Sequence, residues 1–194
     1  RPESFVGVKA PMFSFTRLGG ADPVLGVEMA STGEVACFGH DKHDAFLKSL
    51  LSTGFKLPKK AILVTIAKEH IESVIHHVYL LNEMGYKIYA TPETHPFLAQ
   101  KGINVELIHY YDGENTVHTP NVRTLIGNKE VDLVINLPPG QSANSDIKVN
   151  YYSRRTAVDF GVPLLTNPQL FTMFVDALKK HKDGKISILK VSVL

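Results

Sequence analysis

The sequence predicts an α/β fold: a parallel five-stranded sheet flanked by helices, preceded by an incomplete β-rich segment. Three observations carry this prediction. From residue 61 onward, short apolar runs alternate with amphipathic stretches in the order strand, helix, strand, helix. The runs Ala61-Ile62-Leu63-Val64-Thr65-Ile66 and Val131-Asp132-Leu133-Val134-Ile135-Asn136-Leu137 are nearly continuous, as in strands covered on both faces. Residues 1–40 instead carry brief apolar runs separated by Gly, Pro, Asp and Ser-Thr-Gly.

In that first stretch, Phe5-Val6-Gly7-Val8, Met12-Phe13-Ser14-Phe15, Val24-Leu25-Gly26-Val27 and Val35-Ala36-Cys37-Phe38 read as strands. So few short strands bury little surface, so they belong to a sheet that is mostly missing from this chain. Ser31-Thr32-Gly33-Glu34 lacks the Gly-x-x-x-x-Gly-Lys frame of a phosphate loop and reads as a β-turn. A helix then starts at Asp41, a good N-cap, carries Ala45, Leu47, Leu50 and Leu51, and stops at Gly54. Lys56-Leu57-Pro58-Lys59-Lys60 looks like a linker, which divides the chain into residues 1–56 and 57–194.

The second part begins with the strand at 61–66. Glu69 to Glu83 is helical, with Ile71, Val74, Ile75, Val78 and Leu81 on one face. A strand at Tyr86–Ala90 and a short helix from His95, stopped by Gly102, follow. Val105 to His109 is the third strand and Val122 to Gly127 a weak helix. After the strand at Val131–Leu137, Ser153 to Phe160 is helical and ends at Gly161. Val162 to Thr166 is the last strand, and Pro168 to Lys180 a closing amphipathic helix. Repeated βα units imply right-handed crossovers and a parallel sheet.

Bulk properties narrow the function. The chain has 194 residues, 44% of them hydrophobic and 21% charged, with net charge +2. There is no basic stripe with interleaved aromatics, so nucleic acid is not an expected partner. No apolar run approaches the roughly 18 residues of a membrane span, so no membrane partner is expected. The lone Cys37 excludes an internal disulfide and fits a reducing or matrix-like compartment. Arg1-Pro2-Glu3-Ser4 is neither a signal nor a transit peptide, and without an initiator Met the chain reads as a piece of a longer one. Adjacent His76 and His77 point apart on a helix, and His40 and His43 lack an evident third ligand, so no metal site is expected.

Ligands of parallel sheets sit beyond the carboxyl ends of the strands. Those ends carry Thr65 to Lys68, Thr91 to Thr94, His109-Tyr110-Tyr111, Asn136 to Pro139 and Thr166-Asn167, a set rich in hydroxyl and amide groups and poor in paired carboxylates. Thr91 and Thr94 flank a strand-to-helix junction, where free N–H groups favour an anion. A simple helix cap is the plainer reading of either threonine. Tyr110 could cover the aliphatic part of a ligand or fill the rim of the core, and Tyr111 beside it points to the other face by strand parity. Asn136, after a run of apolar residues, needs a hydrogen-bond partner, whether ligand or turn. Arg154 and Arg155, at the start of the Ser153 helix, call for an anion or a structural carboxylate. Lys68 could meet a phosphate or stand in solvent.

The stretch Lys9-Ala10-Pro11-Met12-Phe13-Ser14-Phe15, with Gly20-Ala21-Asp22-Pro23-Val24-Leu25-Gly26-Val27-Glu28-Met29-Ala30-Ser31-Thr32-Gly33-Glu34-Val35, resembles the end of the second ATP-grasp unit of carbamoyl phosphate synthetase, large-subunit type. Leu51 to Pro58 continues the likeness, and residues 60–180 resemble that enzyme's C-terminal regulatory domain, of the methylglyoxal-synthase-like fold. Asp132 to Pro138, Arg154 to Asp159 and Pro163 to Asn167 look most like the N-acetylglutamate-dependent urea-cycle type.

The resemblance implies a parent enzyme that makes carbamoyl phosphate from bicarbonate, ammonia and ATP, using ATP and Mg. It implies no cofactor and no catalysis in this fragment. The expected partners are the rest of the synthetase chain and an acidic effector, with the mitochondrial matrix as compartment and the cytoplasm as alternative. In that type two threonines, an indole and several asparagines hold the activator. The threonines match Thr91 and Thr94, the indole position falls on Tyr110, and two asparagines match Asn136 and Asn150. A further asparagine position falls on Pro139, for which Asn144 could compensate. Thr65, Lys68, Arg154 and Arg155 are the additional candidates. Three rivals stay open: a uridine nucleotide in the same crevice, as in pyrimidine-pathway relatives; an enzyme of the methylglyoxal synthase kind, for which Glu93 is the nearby carboxylate; and a structural cap.

Overall fold

A computed structural model of the chain describes residues 5–13, 16, 19–24, 33–111, 113, 117–140 and 147–186. The strand expected at Val24–Val27 lies outside them beyond Val24, as do Ser14 and Phe15 of the second expected strand and the Ser31-Thr32 part of the expected turn. Gly33 and Glu34 belong to a strand rather than a turn. β1 (Val6–Met12) and β2 (Gly33–Gly39) form an antiparallel pair that matches Val6 with Gly39 and Met12 with Gly33. Pro11 fits β1 because the strand sits at an edge and its missing N–H breaks no ladder.

β2 turns directly into α1 (Lys42–Ser52), and the approach is close. A Cβ on Gly39 would collide with the backbone nitrogen of Ala45. Asp41 caps the helix as expected, accepting the N–H groups of His43 at 2.8 Å and Asp44 at 2.9 Å. The Asp44 amide, then Lys180 at 2.9 Å, hold the Asp41 carboxyl down to about 2. A depressed carboxyl stabilises the fold above its ordinary value near 3.8 and loses that contribution as pH falls from there toward 2. Asp41→Ala should therefore cost about 1 kcal/mol at pH 7 and less at pH 2, as read by urea unfolding at both pH values.

The main sheet has five parallel strands in the order β5 (Val105–Leu107), β4 (Lys87–Ala90), β3 (Ala61–Ile66), β6 (Leu133–Leu137) and β7 (Leu164–Leu165). β3 and β6 are buried along their full lengths, which explains their unbroken apolar runs. One face is covered by α1, α2 (Lys68–Glu83), α3 (His95–Gln100) and α6 (Pro168–Lys182), the other by α4 (Val122–Gly127) and α5 (Ile147–Asp159). The linker is tied to the sheet by Asp132, whose carboxylate accepts the N–H groups of Lys59 at 3.2 Å, Lys60 at 2.5 Å and Ala61 at 3.1 Å.

Several boundaries differ from expectation. The expected strands at Phe5–Val8 and from Met12 run together as β1. The outer strands are shorter, because pairing on one side only sustains few residues at a sheet edge. α5 starts at Ile147, not Ser153. Arg154 and Arg155 therefore lie well inside the helix, and the expected conflict with the helix dipole does not arise. The strand order reverses between β3 and β6, so the topological switch point falls at their carboxyl ends.

Candidate functional site

At that switch point the register places Thr65 of β3 opposite Asn136 of β6. Thr91 and Thr94 follow β4 and complete one buried polar cluster with them. Thr91 Oγ1 lies 3.4 Å from Thr65 Oγ1 and 3.5 Å from Thr94 Oγ1. The Ile66 amide donates to Thr94 Oγ1 at 2.9 Å, which braces the end of β3 against the start of α3.

Neither threonine caps α3 through its side chain, so the plain capping reading does not describe them. The anion-binding reading of the junction needs correction too. The amides of Thr94 and His95 both donate to the Thr91 carbonyl at 2.9 Å, and Pro96 has no N–H. These N–H groups are consumed by the turn itself. The expected open crevice is also corrected: Thr91, Thr94 and Asn136 are all 0% exposed.

The cation of the cluster is Arg154, on the α5 face turned toward β6 and 2% exposed. Its Nη1 donates to Asn136 Oδ1 at 3.0 Å. Its Nε donates to Asp22 Oδ1 at 2.7 Å, and its Nη2 bonds the other oxygen of Asp22. This is the bidentate geometry that matches a guanidinium to a carboxylate. Among the described residues, the amide nitrogen of Asn136 and the hydroxyl of Ser153, one residue before Arg154, are buried without a partner. Buried donors of that kind are uncommon in folded proteins.

The other candidates are spread around this core. Tyr110 donates from its hydroxyl to Glu93 at 2.9 Å and lines a cavity of about 660 Å³ between α4 and α5. Tyr111, which sequence parity sends to the opposite face, lines the same cavity, with Arg123 4.7 Å above its ring. Tyr152, Ser153 and Arg155 complete the wall. Arg155 bonds Asp159 at 2.9 Å and the Ala21 carbonyl at 3.3 Å. Lys68 is exposed on the first turn of α2, away from the buried cluster's hydrogen bonds.

The loop after β6 is held by α2: Gly140 N donates to Glu69 at 2.7 Å, and His70 Nε2 lies 3.1 Å from the Pro138 carbonyl. Asn144 lies outside the described residues. Asn150 falls in the first turn of α5, and its side chain also lies outside them.

Sequence reasoning missed Asp22 and Ser153. Asp22 stands in the Gly-Ala-Asp-Pro run, but its partner is 132 residues away, beyond any periodicity. Ser153 had no signal except its place beside the arginine pair. Elsewhere, His43 and His77 flank Asp176 at 3.9 and 3.5 Å, and burial holds both imidazoles below their ordinary pKa. Among the described residues, no group of three or more His, Cys, Asp or Glu could hold a metal ion. No helix among them is long and apolar enough to cross a membrane.

Comparison with known proteins places this architecture. Residues 73–166 match the MGS-like domain family. The chain is 46% identical over 189 residues, 93% of its length, to the multifunctional protein URA2 of Saccharomyces cerevisiae, covering 8% of that protein. It is 44% identical over 182 residues, 94% of its length, to the mitochondrial carbamoyl-phosphate synthase [ammonia] of Aquarana catesbeiana, covering 12% of it. The human mitochondrial carbamoyl-phosphate synthase [ammonia] is 43% identical over 183 residues, with 93% of this chain and 12% of the human protein covered. The chain thus spans about a tenth of the length of the curated relatives it matches. A solved methylglyoxal synthase from Elizabethkingia anophelis NUHP1 is similar at a TM-score of 0.46 and 15% identity, over 62% of this chain and 82% of that one. The chain thus carries a match to the MGS-like domain family over residues 73–166 and is similar over nine-tenths of its length to a segment of carbamoyl-phosphate synthases and of fungal multifunctional proteins.

Proposed function

We propose that the chain is the C-terminal regulatory part of a carbamoyl phosphate synthetase and binds N-acetylglutamate as an activator. In this reading residues 1–56 finish an ATP-grasp unit and residues 57–194 form the effector domain. The parent enzyme forms carbamoyl phosphate from bicarbonate, ammonia and ATP in the mitochondrial matrix. ATP and Mg act in the parent's ATP-grasp units.

One observation supports the acidic effector above the others: at the switch point Thr91 meets Thr65 and Thr94, Thr65 stands opposite Asn136 in the register, and Asn136 accepts from the buried guanidinium of Arg154. A small carboxylic acid with an acetamido group needs one strong cation plus neutral donors and acceptors, and the cluster supplies that chemistry. The effector activates by preferring one state of the whole enzyme. Thr91→Ala should weaken N-acetylglutamate binding by about 1–3 kcal/mol, read by calorimetry, and an unchanged affinity would remove Thr91 from the site.

A second reading, a uridine nucleotide in a pyrimidine-pathway synthetase of the cytoplasm, is favoured by the cavity of about 660 Å³ beside the cluster. Its tyrosines could stack a base, and Arg123 on its wall could meet a phosphate. The fungal multifunctional relatives are as similar to the chain as the ammonia-type synthases are. Titrating both ligands separates the two readings. Saturable heat with N-acetylglutamate supports the first, and heat with uridine triphosphate alone reverses the order.

A further inference from the structure

We propose that Asp22 is the internal occupant of a carboxylate subsite built on Arg154 and Asn136, and that an acidic ligand binds there in exchange for Asp22. The inference rests on the acid-binding reading of residues 57–194 and adds how that site is regulated.

The geometry is that of a bound ligand. Both oxygens of the Asp22 carboxylate meet the Arg154 fork, as a free carboxylate would. The two partners are unequally placed. Arg154 is 2% exposed, whereas the Asp22 side chain is 33% exposed and approaches from solvent. A dissolved acid therefore arrives from the side that Asp22 occupies. The segment 19–24 has further contacts, but these too come from α5. Tyr151 donates to the Gly20 carbonyl at 2.6 Å, and Arg155 donates to the Ala21 carbonyl at 3.3 Å. Its charged anchor is Asp22 alone.

A second observation points to a ligand independently. The Asn136 amide nitrogen, on the side chain the fork engages, is buried with no acceptor among the described residues, and Asp22 leaves it unsatisfied. A ligand that brings a second acceptor, such as a carbonyl or another carboxylate, satisfies what Asp22 does not. That difference supplies the preference for exchange.

A buried guanidinium requires an anion at all times, so Asp22 leaves only when another carboxylate takes its place. Asp22 lies in the segment 19–24 between β1 and β2 in the chain, so the exchange loosens that segment from α5. Ligand affinity and segment docking are then linked reciprocally. Wild-type affinity is reduced by the fraction of molecules in which Asp22 holds the fork.

The test is calorimetry with N-acetylglutamate on the chain and on Asp22→Asn, with hydrogen exchange of the amides of residues 19–24 in the unaltered chain. The variant should bind at least about 5-fold tighter. In the unaltered chain, saturating N-acetylglutamate should speed exchange at 19–24, a readout that does not depend on the variant folding. Equal affinities with 19–24 still protected would overturn the exchange and leave the acid-binding reading standing. No heat with either protein would overturn both.

Discussion

Arg154→Met should lower the free energy of unfolding by about 3 kcal/mol, measured as a shift of the urea midpoint at constant slope. The side chain is buried, and two groups lose their partner at once. The Asn136 carbonyl oxygen, inside the sheet, keeps no donor. Asp22 keeps its charge, and because its side chain is a third exposed it regains water only in part. Leaving a buried acceptor unpaired costs about 1–3 kcal/mol, and breaking a buried ion pair about 3–5 kcal/mol. The two overlap, so they do not add. Adding Asp22→Leu to Arg154→Met should recover part of the loss, because it removes the abandoned charge. A loss below about 1 kcal/mol for Arg154→Met would mean that the ion pair contributes little to the fold.

Phe174→Ala should be as damaging, for reasons of packing rather than charge. Phe174 is fully buried on α6 and meets Phe55 edge to face, ring centroids 5.5 Å apart at 62°. It belongs to the core that joins the sheet with α1, α2 and α6. Truncation leaves a cavity that helices anchored on three sides cannot close, at a cost of about 3–5 kcal/mol. For a chain of this size that is a fall in melting temperature of roughly 6–20 °C. Phe38→Ser, on the exposed face of β2, should shift it by little, since Phe38 is two-thirds exposed. Equal shifts for the two variants would contradict the assignment of the core.

Much of this architecture was legible because its cause is local. Ala61–Ile66 and the apolar run into Leu137 announced strands covered on both faces, and Asp41 announced the start of α1. Thr91, Thr94 and Asn136 could be placed at strand ends, since the βα alternation fixes where those ends lie. What the chain could not announce was who pairs with whom at long range. Arg154 and Arg155 looked like a helix start because Ile147 to Tyr152 has no strong apolar period, yet α5 already runs through it. Tyr111 was sent to the opposite face by strand parity, but β5 stops at Leu107, so the alternation no longer applies there. Asp22 was invisible as a partner of Arg154, because a single carboxylate in a Gly-Ala-Asp-Pro turn can pair with any cation the fold brings near. The burial of the two threonines followed from contacts between β3, β4 and α3 that no single segment contains.

The arrangement also separates two demands on one site. The threonines and Asn136 hold fixed positions through backbone and register, which gives the cluster its shape. Charge compensation comes from a carboxylate on a different part of the chain. Glu93, the carboxylate nearest the threonines in sequence, is engaged by the Tyr110 hydroxyl at 2.9 Å.

The most direct test is a crystal structure of the chain grown with N-acetylglutamate. A carboxylate of the ligand should lie on Arg154 and Asn136, with Thr91 and Thr94 beside it and Asp22 withdrawn. Ligand density confined to the cavity between α4 and α5, with Asp22 still on Arg154, would contradict the account.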